Sequence, residues 1–477
     1  MSVMLSSLAF AIATFLSRVL GLVRDMLMAS KFGTSWQADA YFVAILFPFF
    51  LRRVFGEGAM TSAFVPLYSE SKDKDEFLSS VLTSFTLVLM LIVGIVMIYP
   101  DIVIYLFSSG AASQTKELIR VLTRLTAPSI LFIFCWAITY SIENTRGKFF
   151  YPALTPIIPN IVMIVFMLLP GLGIYGPTWG FLIGEAAAFL ALAYPLRRHK
   201  LRFTFKYTKE FLKLFWPSFL AMSISQINSI VDTNVVSYYS KGLGGGVSYL
   251  QYASRFYMLP YGLFGVAVAT VILSTISNDR ENYNKHLRSG ITSTLFFTVP
   301  AAVGLLVLGE PILRLFYEYG QFTPKDTKMT AQVLSAYVIG LPFYGMYSTM
   351  ARARHAMKDM KTPLKATSIV AISNVIMDLL VGLKYGPVGV ALATSIAGII
   401  GFFYLLLKEQ SKKLFEKEDL YILFSAILMG IFTYYFSHIS HRRIWVIPST
   451  IFGGLVYLTI SAILLRGRLK DFLRKRR

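Results

Sequence analysis

The chain has 477 residues, of which 55% are hydrophobic and 15% are charged, and its mean hydropathy is +0.61. This composition excludes an ordinary soluble protein, because it provides far more apolar surface than a soluble core can bury. The formal net charge of +21 does not indicate nucleic-acid binding, since the Lys and Arg residues lie between apolar runs and form no basic face with interleaved aromatic residues.

Long apolar runs predict an all-α integral membrane protein with about fourteen transmembrane helices, because a helix crosses the hydrocarbon core with about 20 apolar residues. In chain order, the runs and their breakers place the helices at residues 3–29, 37–68, 77–107, 117–142, 150–169, 175–196, 210–240, 247–277, 289–308, 329–351, 362–383, 387–407, 419–437 and 444–465. Prolines inside these runs predict bends, at Pro48, Pro128, Pro217, Pro260 and Pro342.

The loops between these helices predict the orientation of the chain. Most Lys and Arg residues of the connections follow even-numbered helices or lie in the C-terminal tail, which places both termini in the cytoplasm by the positive-inside rule. The densest loop of this kind covers residues 197–213. We expect this loop and the basic tail at 474–477 to lie against anionic lipid headgroups.

An internal repeat divides the chain. Asn160 opens the tetrapeptide NIVM and Asn374 opens the related NVIM, and each is followed by Tyr-Gly-Pro, at 175–177 and 385–387. An even number of crossings per copy predicts two six-helix lobes related by a pseudo-two-fold axis along the membrane normal. The N-terminal lobe covers 1–200 with helices 1–6, and the C-terminal lobe covers 201–412 with helices 7–12. Helices 13 and 14, at 413–477 with the basic tail, fall outside the repeat.

Arginines inside the predicted spans are the first candidate functional residues, namely Arg18, Arg24, Arg52, Arg53, Arg124 and Arg255. A charge inside the membrane is costly, so each faces a wet cavity or a partner, or reaches the membrane surface from a helix end. Helical spacing puts Arg18 and Asp25 on one stripe of helix 1, with Ser17 and Arg24 on the next. Asp39 and Glu57 flank Arg52 on helix 2.

Two interpretations of these charges stay open from the residues alone. An excess of arginine over acid, contributed by both halves, is typical of a cavity for an anionic substrate, because guanidinium groups match phosphate oxygens in a bidentate way. The alternative is a structural network of ion pairs.

A second group of polar residues is acidic. Asn374 and Asp378 are four residues apart on helix 11, Thr394 follows on helix 12, and Asp232 lies on helix 7. Their oxygen atoms suit a small hard cation such as sodium, or a proton, while the alternative is hydrogen bonding between helices. The sequence contains no Walker lysine loop, so we expect a transporter driven by an ion gradient or the membrane potential, not an ATPase.

Four N-terminal segments carry a resemblance to a known family: SRVLGLVRD at 17–25, ADAY at 38–41, FFLRR at 49–53 and FGEGA at 55–59. They resemble the MurJ (MviN) lipid II flippases of the multidrug/oligosaccharidyl-lipid/polysaccharide (MOP) exporter superfamily, and the resemblance covers the whole chain. It implies two lobes around a central cationic cavity, with helices 13 and 14 forming a groove for a lipid tail.

The resemblance also implies a cargo and a site. The cargo would be lipid II, an undecaprenyl-pyrophosphate-linked disaccharide pentapeptide, moved between leaflets of the bacterial inner membrane for peptidoglycan biosynthesis. Arg24, Arg52 and Arg255 would bind the pyrophosphate, and further cavity residues would support or gate it, namely Arg18, Ser17, Asp25, Asp39 and Glu57. A sodium site would be formed by Asp232, Asn374, Asp378 and Thr394. No cofactor is required beyond that ion, and we expect a monomer among membrane lipids.

Three other functions stay open. A multidrug and cation antiporter of the same superfamily should favour acidic and aromatic cavity residues over three arginines. A flippase for another lipid-linked oligosaccharide cannot be separated by charge alone. A membrane enzyme acting on polyprenyl phosphates would need an acid/base cluster beside metal-binding carboxylates, and the sequence shows none.

Overall fold

The computed structural model describes residues 3–56, 59–148, 150–240, 244–409 and 414–464, and within these ranges it contains helices and connections but no strand. The predicted all-α fold is confirmed. Seven described helical stretches are long and apolar enough to cross a membrane, and an eighth is added if the bent pair Ser113–Thr126 and Ser129–Thr145 forms one span. The total of about fourteen spans stays a prediction.

The chain forms two compact units, Met1–Ser248 and Tyr249–Arg477. Unit 1 contains the helices α1 Val3–Phe32, α2 Trp36–Gly56, α3 Ala59–Glu70, α4 Lys74–Ile98, α5 Asp101–Phe107, α6 Ser113–Thr126, α7 Ser129–Thr145, α8 Phe150–Leu154, α9 Ile157–Leu168, α10 Tyr175–Leu192 and α11 Thr208–Ser240. The next helix, α12 Gly246–Pro260, begins in unit 1 and continues into unit 2.

Unit 2 continues with α13 Ala267–Asn278, α14 Tyr283–Phe316, α15 Pro324–Ile339, α16 Leu341–Ala356, α17 Lys361–Met377, α18 Leu383–Leu407, α19 Lys417–Ser437 and α20 Val446–Leu464. Two π-helical segments, Tyr261–Val266 and Asp378–Gly382, link α12 to α13 and α17 to α18. In α18, Gly386 has φ 60° and ψ −136°, a conformation that glycine adopts more readily than other residues.

Several predicted spans consist of two helices, and proline accounts for two of the breaks. The predicted span 77–107 is divided at Pro100, which precedes α5, and the span 117–142 is divided at Pro128, where α6 and α7 bend by 40°. Proline interrupts the helical hydrogen bonding because it lacks an N–H group. The bend predicted at Pro128 is therefore confirmed.

Helix α11 packs along unit 1, although the repeat assigns it to the C-terminal lobe. At one end Ser62 donates to Ser218 at 3.2 Å, and at the other Asn234 Nδ2 donates to the carbonyl oxygens of Tyr105 and Leu106 at 2.8 and 3.0 Å. Packing thus divides the chain after Ser248, whereas the sequence repeat divides it after residue 200. The predicted lobe boundaries stay a prediction.

Helices α19 and α20 are fastened to α14 within unit 2. Arg288 forms an ion pair with Glu416, and Thr292 donates to Asp419 Oδ1 at 2.9 Å. Farther along, the hydroxyl of Tyr457 donates to the carbonyl oxygen of Phe296 at 2.7 Å. The two helices outside the repeat are therefore an integral part of unit 2.

Candidate functional site

Arg24 lies in a polar cluster between α1 and α9. Its Nε and Nη2 donate to Asp25 Oδ1 at 3.0 and 2.6 Å, and its Nη1 donates to Asn160 Oδ1 at 3.0 Å. The side chain of Arg24 is 14% exposed and that of Asp25 only 6%. Because a desolvated charge is retained only with partners, this cluster keeps a guanidinium group inside unit 1 while part of it stays accessible.

Asn160 is held so that its amide oxygen faces Arg24. Its Nδ2 donates to the carbonyl oxygen of Pro156 at 3.1 Å, one helical turn earlier, and to that of Ser17 at 3.5 Å. Ser17, predicted as a site residue, therefore contacts the cluster through its backbone. The amide gives Arg24 a neutral acceptor beside the charged one.

Arg52 lies in a second cluster formed by α2, α7 and α10. It forms an ion pair with Glu185, whose side chain is 1% exposed, and its guanidinium carbon lies 5.3 Å from the centre of the Trp136 ring. The indole Nε1 donates to Thr155 Oγ1 at 2.7 Å, which fixes the ring. A charge pair and a cation–π contact thus hold Arg52, whose side chain is 18% exposed.

A glycine stripe on α10 positions both clusters. Gly176, Gly180 and Gly184 recur every fourth residue and therefore line one face of the helix. A Cβ at Gly180 would lie 2.6 Å from Met163 Cα, and one at Gly184 would lie 2.7 Å from Pro159 Cα. Only residues without a side chain permit this approach of α9 and α10. Asn160 and Glu185 directly follow these contact points along the chain.

Asp39 stabilises the start of α12. It is 4% exposed, and its two carboxylate oxygens accept the backbone N–H groups of Gly246 and Ser248 at 3.0 and 2.7 Å. The Ser248 hydroxyl adds a third bond at 2.7 Å. Free N–H groups at a helix start favour an acceptor with negative charge, so Asp39 acts as a cap supplied by a distant helix.

Three residues of the acidic group lie in unit 2, namely Asn374 on α17, Asp378 at the start of the π-helical segment and Thr394 on α18. Asn374 and Asp378 are 1% and 0% exposed, and Asn374 Nδ2 donates to Asp378 Oδ2 at 3.2 Å. Among the described residues, Asn374 Oδ1 is buried without a hydrogen-bond donor. Thr394 donates to the carbonyl oxygen of Val390 at 3.2 Å. Asp232 lies on α11 in unit 1 and is half-buried.

The remaining predicted site residues are Arg18, Arg255 and Glu57. Arg18 on α1 and Arg255 on α12 are exposed, and Glu57 lies outside the described residues. The structure therefore joins Arg24 to Asp25 and Arg52 to Glu185, which is the ion-pair arrangement that the sequence left open. Whether these residues bind a substrate stays a prediction.

Sequence reasoning did not assign a role to two residues that the structure shows in these clusters. In the sequence, Asn160 stands out only as part of the repeat, and Glu185 lies in no motif. A signal for Glu185 existed, because it is an acid inside the apolar run 175–196, and such residues need a partner.

An apolar cleft of about 450 Å³ lies within unit 2 between α13 and α14. Its walls include Leu263, Phe264, Val271 and Phe297, and His286 provides a polar group. Its size and lining suit a hydrocarbon chain. The predicted groove for the lipid tail lies elsewhere, on the predicted helices 13 and 14, which correspond to α19 and α20. That groove stays a prediction.

Comparisons with known proteins identify the family. The family described as "Lipid II flippase MurJ" matches residues 28–454. The lipid II flippase MurJ of Thermosipho africanus is 53% identical, over 100% of both chains. The probable lipid II flippase MurJ of Thermotoga maritima is 41% identical, over 100% of this chain and 99% of its own.

Solved structures agree with this assignment. A lipid II flippase MurJ in an inward closed conformation has a TM-score of 0.90 at 53% identity, covering 96% of this chain and 99% of its own. An inward-facing multidrug resistance MATE transporter of the MOP superfamily has a TM-score of 0.66 at 16% identity, covering 82% and 93%, and shows the fold alone. The chain is thus a multi-pass membrane protein that belongs to the MurJ family of lipid II flippases.

Proposed function

We propose that this protein moves lipid II from the cytoplasmic to the periplasmic leaflet of the bacterial inner membrane, with both termini in the cytoplasm. The observation that carries the proposal is the 53% identity, over both full lengths, to a relative described as a lipid II flippase. The two partly accessible guanidinium clusters support it, because a diphosphate is recognised by paired guanidinium donors.

The proposed role of Arg24 is an exchange of partners. Both of its short bonds to Asp25 go to the same oxygen, and its third goes to the neutral amide of Asn160. Diphosphate oxygens offer the same acceptor geometry with more charge, so they can take over the guanidinium while Asp25 keeps its position. Arg52 would contribute in the same way from the Glu185 cluster, and we retain Arg255 as a third contributor.

The transport cycle we propose is alternating access, driven by a cation gradient or the membrane potential. The cargo must bind the two states with different affinity if it is to shift their populations. A sodium ion is our candidate for coupling, held by Asn374, Asp378 and Thr394 with Asp232. The buried amide oxygen of Asn374, which has no donor among the described residues, supports a cation at this position.

Complementation tests the function directly. In a bacterium depleted of its own flippase, expression of this chain should restore growth and lipid II export, and lysis despite correct membrane insertion would contradict the proposal. Arg24→Lys keeps the charge but loses the guanidinium fork. Lost charge-assisted hydrogen bonds of about 1.5–3 kcal/mol should weaken cargo binding roughly tenfold to a hundredfold.

Arg124→Lys is the matched control for Arg24→Lys. Arg124 is exposed, and its Nε donates to the carbonyl oxygen of Met97 at 3.0 Å, a bond that an ammonium group can replace. Export should therefore be unchanged in this variant. Equal export by both lysine variants would remove Arg24 from the binding site.

A further inference from the structure

The connection from α10 to α11 contains a non-helical segment, residues 199–207, which we call the basic loop. Its backbone is bound to the first turns of α4. The N–H groups of Lys200, Arg202 and Tyr207 donate to Asp75 Oδ2, Ser79 Oγ and Ser80 Oγ at 3.2, 3.0 and 3.0 Å. The loop is therefore fixed to the end of a helix long and apolar enough to span the membrane.

Two side chains of the basic loop strengthen this attachment. His199 Nδ1 lies 2.6 Å from Asp75 Oδ1, and Lys206 Nζ donates to Glu76 Oε2 at 2.6 Å. His199 Nε2 also lies 3.1 Å from the hydroxyl of Tyr68. Hydrogen bonds and ion pairs to α3 and α4 thus hold the backbone of the basic loop and two of its side chains. The fold therefore fixes the directions in which the other side chains of the loop point.

Three apolar side chains of the fixed loop point outward. Leu201, Phe203 and Phe205 are 52%, 76% and 50% exposed. They alternate along the chain, and alternate residues of an extended segment lie on one face. The rings of Phe203 and Phe205 lie 5.2 Å apart, which places both on the same side. The loop thus presents an apolar ridge.

Basic residues accompany the ridge. Lys200 and Arg202 alternate with the apolar residues and are exposed, and Arg197 and Arg198 immediately precede the loop and are exposed too. Apolar and aromatic side chains beside exposed cations are the pattern of segments that insert into the headgroup region of an anionic membrane. A soluble partner would have to dock beside the end of a membrane helix, where the lipid surface already lies.

We propose that the basic loop is a membrane-surface anchor, in which Leu201, Phe203 and Phe205 enter the boundary of the acyl chains while Lys200 and Arg202 contact anionic phospholipid headgroups. This goes beyond the lipid contact expected from charge alone, since it assigns insertion to three named side chains. It does not depend on the identity of the cargo.

Spin labelling tests the depth of the ridge. Cys135 is the single cysteine, so a Cys135→Ser background allows one nitroxide at a time, at Phe203→Cys or Thr204→Cys. The protein is reconstituted in vesicles containing phosphatidylglycerol. The label at 203 should collide several-fold more with oxygen, which partitions into lipid, than with a water-soluble nickel chelate. The half-buried Thr204 lies on the other face, and its label should show no such preference.

Each outcome decides for or against the anchor. A label at 203 that collides freely with the nickel chelate lies in water, and one that collides with neither reagent lies against protein; both results overturn the proposal. A label at Leu201→Cys repeats the measurement independently. In pure phosphatidylcholine, or in a Lys200→Gln/Arg202→Gln variant, the label at 203 should lie shallower. Equal depth in all cases would overturn the role of the anionic headgroups.

Discussion

Glu185 is the carboxylate on which the largely buried guanidinium of Arg52 depends. Replacing Glu185 by Ala removes the anion and leaves the cation among α2, α7 and α10. Breaking a buried pair in this way costs about 3–5 kcal/mol, so the variant should unfold at clearly lower denaturant concentration in detergent micelles. Unfolding at the wild-type concentration would show that the pair does not carry the stability of this region.

The double variant Arg52→Met/Glu185→Leu separates stability from transport. It removes both charges and replaces them by apolar groups of similar size, which is often neutral for stability. We expect near wild-type unfolding but no lipid II export in the complementation assay. Normal export by this variant would show that Arg52 serves only the fold.

Among individual residues, the sequence identified the buried arginines and Asp25 but not the partners Asn160 and Glu185. Arg24 and Arg52 stand out because an arginine in an apolar run is costly. Asn160 and Glu185 become partners only through the rotation and the close approach of α9 and α10, which depend on packing between distant segments. The ion-pair alternative could be stated from sequence, but naming the partner of each arginine needed coordinates.

At the scale of elements, the glycine stripe makes the contact between α9 and α10 sensitive to a single methyl group. Gly184→Ala would place a Cβ 2.7 Å from Pro159 Cα, so the helices must separate. Overpacking of this kind costs about 1–3 kcal/mol. Thermal unfolding of the purified variant measures the loss.

Gly94→Ala on α4 is the matched control for Gly184→Ala. A Cβ at Gly94 meets no atom within 4 Å. Alanine is favoured over glycine inside a helix by roughly 0.5–1 kcal/mol, so this variant should be as stable as the wild type or slightly more stable. A similar loss in both variants would mean that the contact with α9 is not the cause.

The cap on α12 predicts a graded series at Asp39. Asp39→Asn keeps one acceptor oxygen but places an amide donor against an N–H group, whereas Asp39→Ala loses all three bonds. Loss of a helix cap costs about 0.5–2 kcal/mol, so stability should fall from Asp to Asn to Ala. Amide hydrogen exchange at Gly246 and Ser248 should rise in the same order. Unchanged exchange in Asp39→Ala would refute the capping role.

The positions of the helices were more predictable than the breaks between them and the way they pack. Every predicted span contains helix in the structure, because apolar length alone requires it. The break at Pro128 was predicted from proline chemistry. The π-helical segments and the packing of α11 with unit 1 were not, since both arise from contacts that no local pattern encodes.

For the whole molecule, the dependence of transport on sodium tests the acidic group. Asp378→Asn keeps the size of the side chain and one acceptor oxygen but removes its charge. In proteoliposomes, lipid II translocation by this variant should be the same with sodium as with potassium. Retention of the wild-type sodium response would exclude this site. Asp279→Asn, in the connection between α13 and α14, is the control and should keep the response.

The π-helical segment Asp378–Gly382 is a place where the chain can lose one residue without a change in the faces of the helix that follows. The N–H of Leu383 donates to the carbonyl oxygen of Asp378, five residues earlier, so the segment holds one residue more than regular winding needs. Deleting one residue inside the segment would restore regular winding and leave the faces of α18 in place, whereas a deletion within the regular helix α17 would turn the residues after it by about 100°. Leu379 and Leu380 are mostly exposed, so deleting either should be tolerated far better than deleting a residue of α17.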